Sequence, residues 1–194
     1  MNVMVVSCHP LAESFTQVAA AKAMSALTKA GHRVDHLDLH AEGFEPGLTA
    51  VERIAHHADV SEKPWIADHA KRLQSADSLV LVYPTWWSGQ PAMLKGWFDR
   101  VWTTGVAYYL PEGSPRIRGL LKFKSITAIT THGSTKLVNM IEGEVGKRML
   151  SRQIRPMCGW RCRFNWVALY GIDNCSDTER AAFLARVEAV SARL

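Results

Sequence analysis

Residues 79–102 read LVLVYPTWWSGQPAMLKGWFDRVW, and the reading of this stretch decides the fold. Leu79 to Tyr83 is a continuous apolar run. A strand covered on both faces of a parallel sheet need not alternate, so the run predicts a central strand. Pro84 ends the ladder, because proline has no N–H to donate. Residues 85–90 then form a loop at the carboxyl end of the strand, and Pro91 suits the first turn of a helix. Leu94, Trp97, Phe98, Val101 and Trp102 recur at helical spacing as one apolar stripe. Strand, short loop and helix in this order form the corner where open α/β sheets bind ligands.

The pattern repeats on either side. Residues 2–7, NVMVVS, predict a first strand. A loop at 8–13 follows, and Ser14 opens a helix with Gln17 as its capping-box partner. Ala20, Ala23, Met24 and Leu27 give that helix its inner side, and Gly31 stops it. Residues 34–39 form a second, partly polar strand suited to a sheet edge. Residues 41–63 are irregular, with a short helix at 49–57, and Pro64 starts a helix with Ile66, Ala70 and Leu73 inward. Residues 103–122 are a second long excursion. Residues 123–131 are a strand, and 139–155 a helix interrupted near Gly143 and Gly146. Trp160, Cys162, Phe164, Trp166, Ala168 and Tyr170 recur with period two. Ser176 and Glu179 form a second capping box, ahead of a helix burying Phe183, Leu184, Val187, Val190 and Leu194. Repeated strand–helix units imply a parallel sheet with helices on both faces. Right-handed crossovers bring the loops at 8–14, 84–90 and 130–134 to one sheet end.

A chain of 194 residues with 47% hydrophobic content suits one domain with a packed core. No apolar run approaches the ~20 residues of a membrane span. The start MNVMVVSCHP lacks the basic flank of a signal peptide, which points to the cytoplasm. Cys8, Cys158, Cys162 and Cys175 follow no disulfide framework and read as reduced thiols. The net charge of +5 is moderate, and no basic helix supports nucleic-acid binding.

Each loop has a chemical reading and a plainer one. A helix N-terminus at Ser14, with His9 nearby, suits a phosphate; the plainer reading is an N-cap and a solvated histidine. No G-x-G-x-x-G follows a strand, which argues against a dinucleotide held in the Rossmann manner. In the second loop, amides from Thr85 to Gly89 suit a flat heterocycle, with Trp87 at its rim and Gly89 supplying backbone freedom. Equally, Trp86 and Trp87 read as core aromatics. The third loop offers Thr130, Thr131 and His132. His32, His36 and His40 lie on an expected strand, not one helical face, so no metal site is read. Cys158 and Cys162 straddle Gly159 and enter a strand, which speaks against a redox pair. Arg148, Arg152, Arg155, Arg161 and Arg163 read as a solvated basic face or as partners for a 2′-phosphate.

HPLAESF (residues 9–15), YPTWWSGQPAMLKGWFDRV (83–101) and TTHGS (130–134), in this order and with the final capped helix, resemble the NAD(P)H:quinone oxidoreductase branch of the flavodoxin-like flavoproteins. The resemblance implies a doubly wound, three-layer α/β sandwich over residues 1–194, with a five-stranded parallel sheet in the order 2-1-3-4-5. It implies a tightly held flavin, with FAD read ahead of FMN, and a homodimer with active sites at the interface. It further implies a ping-pong reaction in which NADH or NADPH delivers hydride and a quinone or related acceptor is reduced. By position, His9, Ser14, Phe15 and Thr16 hold the phosphate and ribityl region. Pro84, Thr85, Trp86 and Trp87 line the isoalloxazine, with Thr130, Thr131, His132 and Gly133 at its pyrimidine end. Tyr108 resembles a tyrosine that reaches into the partner's pocket, and Arg180 and Leu184 resemble contacts to the adenylate half of FAD.

The sequence departs from that pattern after the third loop. Mammalian quinone reductases place a tyrosine and a histidine where this chain has Val138 and Glu144, neither of which stabilises negative charge. His132, or a backbone dipole beside it, is the expected substitute. Two other classes stay open: an ancillary subunit of a potassium-efflux system, as some relatives are, and a flavodoxin-type electron carrier, against which the +5 charge speaks.

Overall fold

A computed structural model describes residues 1–58 and 60–194. The chain runs β1 (Asn2–Ser7), α1 (Phe15–Lys29), β2 (Arg33–Asp38), α2 (Ala50–Ile54), α3 (Ala67–Ser75), β3 (Ser78–Pro84) and α4 (Ala92–Val101). A two-stranded excursion follows, β4 (Tyr108–Tyr109) and β5 (Arg118–Gly119). Then come β6 (Ser125–His132), α5 (Lys136–Ile141), α6 (Val145–Arg148), β7 (Arg163–Tyr170) and α7 (Asp177–Ser191). The five long strands pair in parallel in the order β2-β1-β3-β6-β7, which is 2-1-3-4-5 once the short hairpin is set aside. The partly polar β2 lies at an edge, as its composition predicts.

Strand side chains alternate between faces, and this sorts the core into two halves. Val3, Val5, Val80 and Val82 pack with α1 and α7 through Ala20, Ala23, Phe183 and Val187. Met4, Val6, Leu79, Leu81 and Tyr83 face the other way, against Leu73 of α3 and Trp97, Phe98 and Val101 of α4. The apolar stripe read from residues 94–102 is therefore the buried face of α4. Among the described residues no helix is long and apolar enough to cross a membrane.

Several local expectations are corrected. Pro91 is the residue before α4 rather than its first turn, so its extended backbone sets the entry angle. Ser14 caps α1 by accepting from Gln17 N, but the Gln17 side chain donates to Asp38 Oδ2 at 2.6 Å, leaving the capping box half made. The Ser176–Glu179 and Thr49–Glu52 boxes are complete. Pro64–Ile66 is a short 3-10 turn that leads into α3. The helix expected over 139–155 begins earlier, at Thr135, whose hydroxyl caps α5. It breaks at Gly143 and Glu144, whose φ values are 89° and 48°, and resumes as α6, a π-helical turn and a 3-10 turn ending at Cys158. Trp160 and Cys162 lie before β7, and Trp160 is largely exposed, so the period-two pattern overran the strand.

Candidate active site

Three chain segments meet at the carboxyl ends of β1, β3 and β6, which are consecutive in the sheet. Cys8 N donates to Val82 O at 3.0 Å, and Thr85 N donates to Thr131 O at 2.7 Å, so each segment is tied to the next. The Thr85 and Thr130 hydroxyls share a 2.9 Å hydrogen bond. His9 approaches Trp86 edge-on, with ring centroids 6.2 Å apart.

The first segment leads into α1. The amides of Phe15 and Thr16 have no acceptor among the described residues, so the helix end presents free donors and its partial positive charge. His9 Nδ1 accepts from the Leu11 amide at 3.0 Å, which puts the proton of the neutral ring on Nε2. Thr16 is buried. Phe15 packs on Phe183 of α7, and the Arg180 guanidinium lies 6.0 Å from the Phe15 ring. Arg180 donates from Nη2 to Ile172 O at 3.3 Å, while its buried Nε has no partner among the described residues. Leu184 packs beside Phe183 in the same half of the core.

The second segment is a tight turn. Trp86 N donates to Gly89 O and Gly89 N to Trp86 O, both at 3.1 Å. Trp87 and Ser88 at its apex have φ of 48° and 60°, the left-handed pair that a type I′ turn needs. The backbone freedom expected of Gly89 is thus demanded of its two neighbours instead. The turn consumes the amides of Trp86 and Gly89, and that of Thr85 is spent on Thr131 O; those of Trp87 and Ser88 have no acceptor among the described residues. Trp86 is 45% exposed and Trp87 fully so, which overturns the core reading of both. Gly146 N donates to Ser88 O at 3.1 Å, and Gln90 Nε2 donates to Gly146 O at 3.0 Å, so α6 pins the turn from beneath.

In the third segment the strand expected over 123–131 runs one residue further, so Thr130, Thr131 and also His132 belong to it rather than to the loop. They are the buried last residues of β6, and of the expected loop only Gly133 and Ser134 lie beyond it. Register pairs His132 with Tyr170 of β7, and their rings stack with centroids 4.6 Å apart. His132 Nε2 lies 3.4 Å from Thr85 Oγ1, and its buried Nδ1 makes no hydrogen bond of normal geometry among the described residues. Burial pushes the His132 imidazole below its ordinary value, outweighing Asn139, Glu144 and Glu142, which act upward. It is neutral at pH 7. Thr85, Trp87, Ser88, His132, Asn139 and Glu142 line a cavity of about 250 Å³. A smaller recess beside it is walled by Glu144, Trp166 and Tyr170. The Glu144 carboxylate is paired with Lys147 at 3.0 Å, and Val138 is on the exposed side of α5.

Tyr108 does not join these segments within the chain. Its hydroxyl bonds to His56 Nε2 at 2.8 Å in the β4–β5 excursion. His36 bonds Ser7 at 2.9 Å, and no cluster of metal-ligating side chains occurs among the described residues. Ser88, Gln90, Asn139 and Tyr170 were not singled out from sequence. Ser88 and Gln90 sit inside the quoted stretch, and Tyr170 in the period-two pattern; only the β6–β7 register sets Tyr170 against His132.

The comparisons with known proteins agree with this architecture. The profile of the flavodoxin-like fold family matches residues 1–194. The mouse ribosyldihydronicotinamide dehydrogenase [quinone] is 27% identical over 205 residues, covering 95% of this chain and 87% of the mouse protein. An uncharacterized NAD(P)H oxidoreductase of Haemophilus influenzae is 35% identical over 135 residues, covering 69% of this chain and 65% of that one. Among solved structures, the NAD(P)H:quinone oxidoreductase from Methanothermobacter marburgensis superposes with a TM-score of 0.85 at 26% identity, over 99% of this chain and 98% of that chain. With its sheet order, its three converging segments and these relatives, the chain belongs to the flavodoxin-like fold family and has NAD(P)H:quinone oxidoreductases as homologues.

Proposed function

We propose that the chain is a flavin-dependent NAD(P)H:acceptor oxidoreductase that reduces quinones or related acceptors by two electrons in a ping-pong reaction. The observation that carries this reading is a set of unspent donors at one sheet end: the amides of Phe15, Thr16, Trp87 and Ser88, and the buried Nε of Arg180. Donors beside exposed indoles suit a planar heterocycle with a phosphate tail. His9, Ser14, Phe15 and Thr16 hold the phosphate and ribityl end, His9 through its Nε2 proton. Pro84, Thr85, Trp86 and Trp87 line the ring. Thr130, Thr131, His132 and Gly133 shape the pyrimidine end, Thr130 by fixing the Thr85 hydroxyl. Arg180, with its unspent Nε, and Leu184 are the residues that would meet the adenylate half of FAD, and on that ground we read FAD ahead of FMN.

The flavin, when bound, supplies the hydride chemistry; the protein supplies placement and electrostatics. His132 acts as a neutral imidazole, passing a hydrogen bond or proton by way of Thr85 Oγ1 rather than offering a fixed positive charge. Tyr108 completes the acceptor pocket of a partner subunit in a homodimer in the cytoplasm.

The test is to purify the protein, release and identify any flavin by heating, and mix the holoprotein with NADH or NADPH without oxygen. Loss of flavin absorbance with either donor, restored by a quinone, is the expected result. A colourless protein that takes up neither FAD nor FMN overturns the reading. Flavin reduction undiminished in His132→Gln removes the role given to His132 alone.

A further inference from the structure

At the opposite pole, by the amino ends of β6 and β7, the structure has a second cleft of about 810 Å³. Arg118, Lys122, Lys124, Arg161 and Arg163 line it, and no carboxylate does. None of the five is ion-paired among the described residues. Trp160 forms an exposed lip, with the Arg161 guanidinium 4.6 Å from its ring. The floor of the cleft holds Cys158 and Cys162, both free and nearly buried. Gly159, at φ 97°, turns the chain back, and Cys162 N donates to Gly159 O at 3.1 Å. This turn sets the two thiols on one cleft floor, near enough to act on one another, while each donates to a backbone carbonyl, Cys158 to Ile154 O and Cys162 to Arg163 O, both at 3.6 Å.

We propose that Cys158 and Cys162 form a dithiol that reduces anionic organic disulfides drawn into this cleft and closes to an internal disulfide. Cys158 keeps its proton, and its influence on Cys162, with the nearby Arg155 charge, draws Cys162 below its ordinary value. The Cys162 thiolate attacks one sulfur of the reagent, forming a mixed disulfide and releasing one thiolate. Cys158 then loses its proton to solvent and attacks the Cys162 sulfur, releasing the second thiolate. The dithiol gives up two electrons, and the reagent becomes two thiols. The basic walls favour an anionic reagent because a cleft of one sign concentrates the opposite charge. Nothing in this proposal depends on flavin.

The test uses the full-length protein carrying Cys175→Ser, since Cys175 is half-exposed; Cys8 is buried, with its thiol pushed up to about 12, and does not compete. Dithiodipropionate (anionic) and cystamine (cationic) are compared, each rate divided by its rate with free mercaptoethanol. At low salt the anionic reagent is expected to be favoured by about tenfold or more. That preference closes in high salt and in the Arg161→Gln, Arg163→Gln double variant. The product mass falls by two hydrogens, and peptide mapping joins Cys158 to Cys162. Cys158→Ser traps a stable mixed disulfide on Cys162. Equal normalised rates, or a map in which Cys158 and Cys162 stay as thiols, overturns the proposal.

Discussion

His132 lies flat against Tyr170, the ring planes 24° apart, and the stack seals the imidazole from water at the end of β6. Burial is the main reason the folded ring resists protonation. In the unfolded chain it protonates near the ordinary 6.5, so between that value and the lower folded value the unfolded state holds more protons. Stability is therefore full above pH 6.5 and falls as pH drops below it, levelling off once the folded ring also protonates. His56 and His69 are pushed in the same direction, also chiefly by burial, and add to the slope. Urea denaturation at pH 7.5 and 5.5 measures it: the midpoint is lower at 5.5, and His132→Gln reduces the difference. In Tyr170→Ala water reaches the ring, and the His132 titration followed by NMR moves upward toward 6.5.

Ser14 serves both the helix and the proposed site. Its hydroxyl accepts from Gln17 N at 3.3 Å as the cap of α1. Ser14→Ala removes one satisfied donor at the helix start and costs about 1 kcal/mol of stability. Flavin retention on dialysis is expected to fall as well. Ser14→Asp restores the cap but sets a carboxylate beside the phosphate. It recovers stability while losing flavin, and this separates the two roles.

Gly96 of α4 faces the loop before α2, where a Cβ would overlap the Pro46 carbonyl. Arg100 donates to the neighbouring Glu45 carbonyl and to Glu52 Oε1, so the loop is held in place and does not yield freely. Alanine gains about 1 kcal/mol of helix propensity over glycine. Overpacking against a fixed backbone costs about 1–3 kcal/mol. The loss prevails, and a thermal melt of Gly96→Ala shows a lower Tm with flavin content unchanged.

The frame of the molecule was legible because its strands differ from their surroundings by whole runs of side chains. Leu79 to Tyr83 and residues 2–7 could only be buried strands, and the stripe from Leu94 to Trp102 could only be a helix packed on them. What escaped depends on backbone dihedrals and on register, which leave little trace in composition. His132 looked like a loop residue because a glycine, Gly133, follows it directly; pairing with β7 carries the strand through to it. Trp160 fits the period-two pattern by residue type, yet Gly159 turns the chain before β7 begins. The same turn sets Cys158 and Cys162 on one cleft floor, a juxtaposition that spacing across a presumed strand had argued against. In the site, the three motifs were read from resemblance, whereas the donors that remain free were visible only once the turn at Trp86–Gly89 had used the others.

Trp87 and Ser88 hold a left-handed backbone without being glycine, which costs about 1–3 kcal/mol at each such residue when the surroundings do not compensate. Trp87 buries nothing in the isolated chain, so packing does not offset the strain there. The Ser88 side chain donates to Glu142, which returns part of it. Trp87→Gly is therefore expected to raise stability toward urea by about 1 kcal/mol, because glycine takes positive φ freely. Its amide stays in place, but the indole at the ring's rim is gone, so flavin dissociates faster. A variant that is more stable yet holds flavin less well would mark the turn as strained for binding. If Trp87→Gly loses stability, the indole packs against something in the folded protein and the strain is already offset; if flavin retention is unchanged, Trp87 is not part of the ring's surroundings. Denaturation and dialysis on the same preparation separate these outcomes.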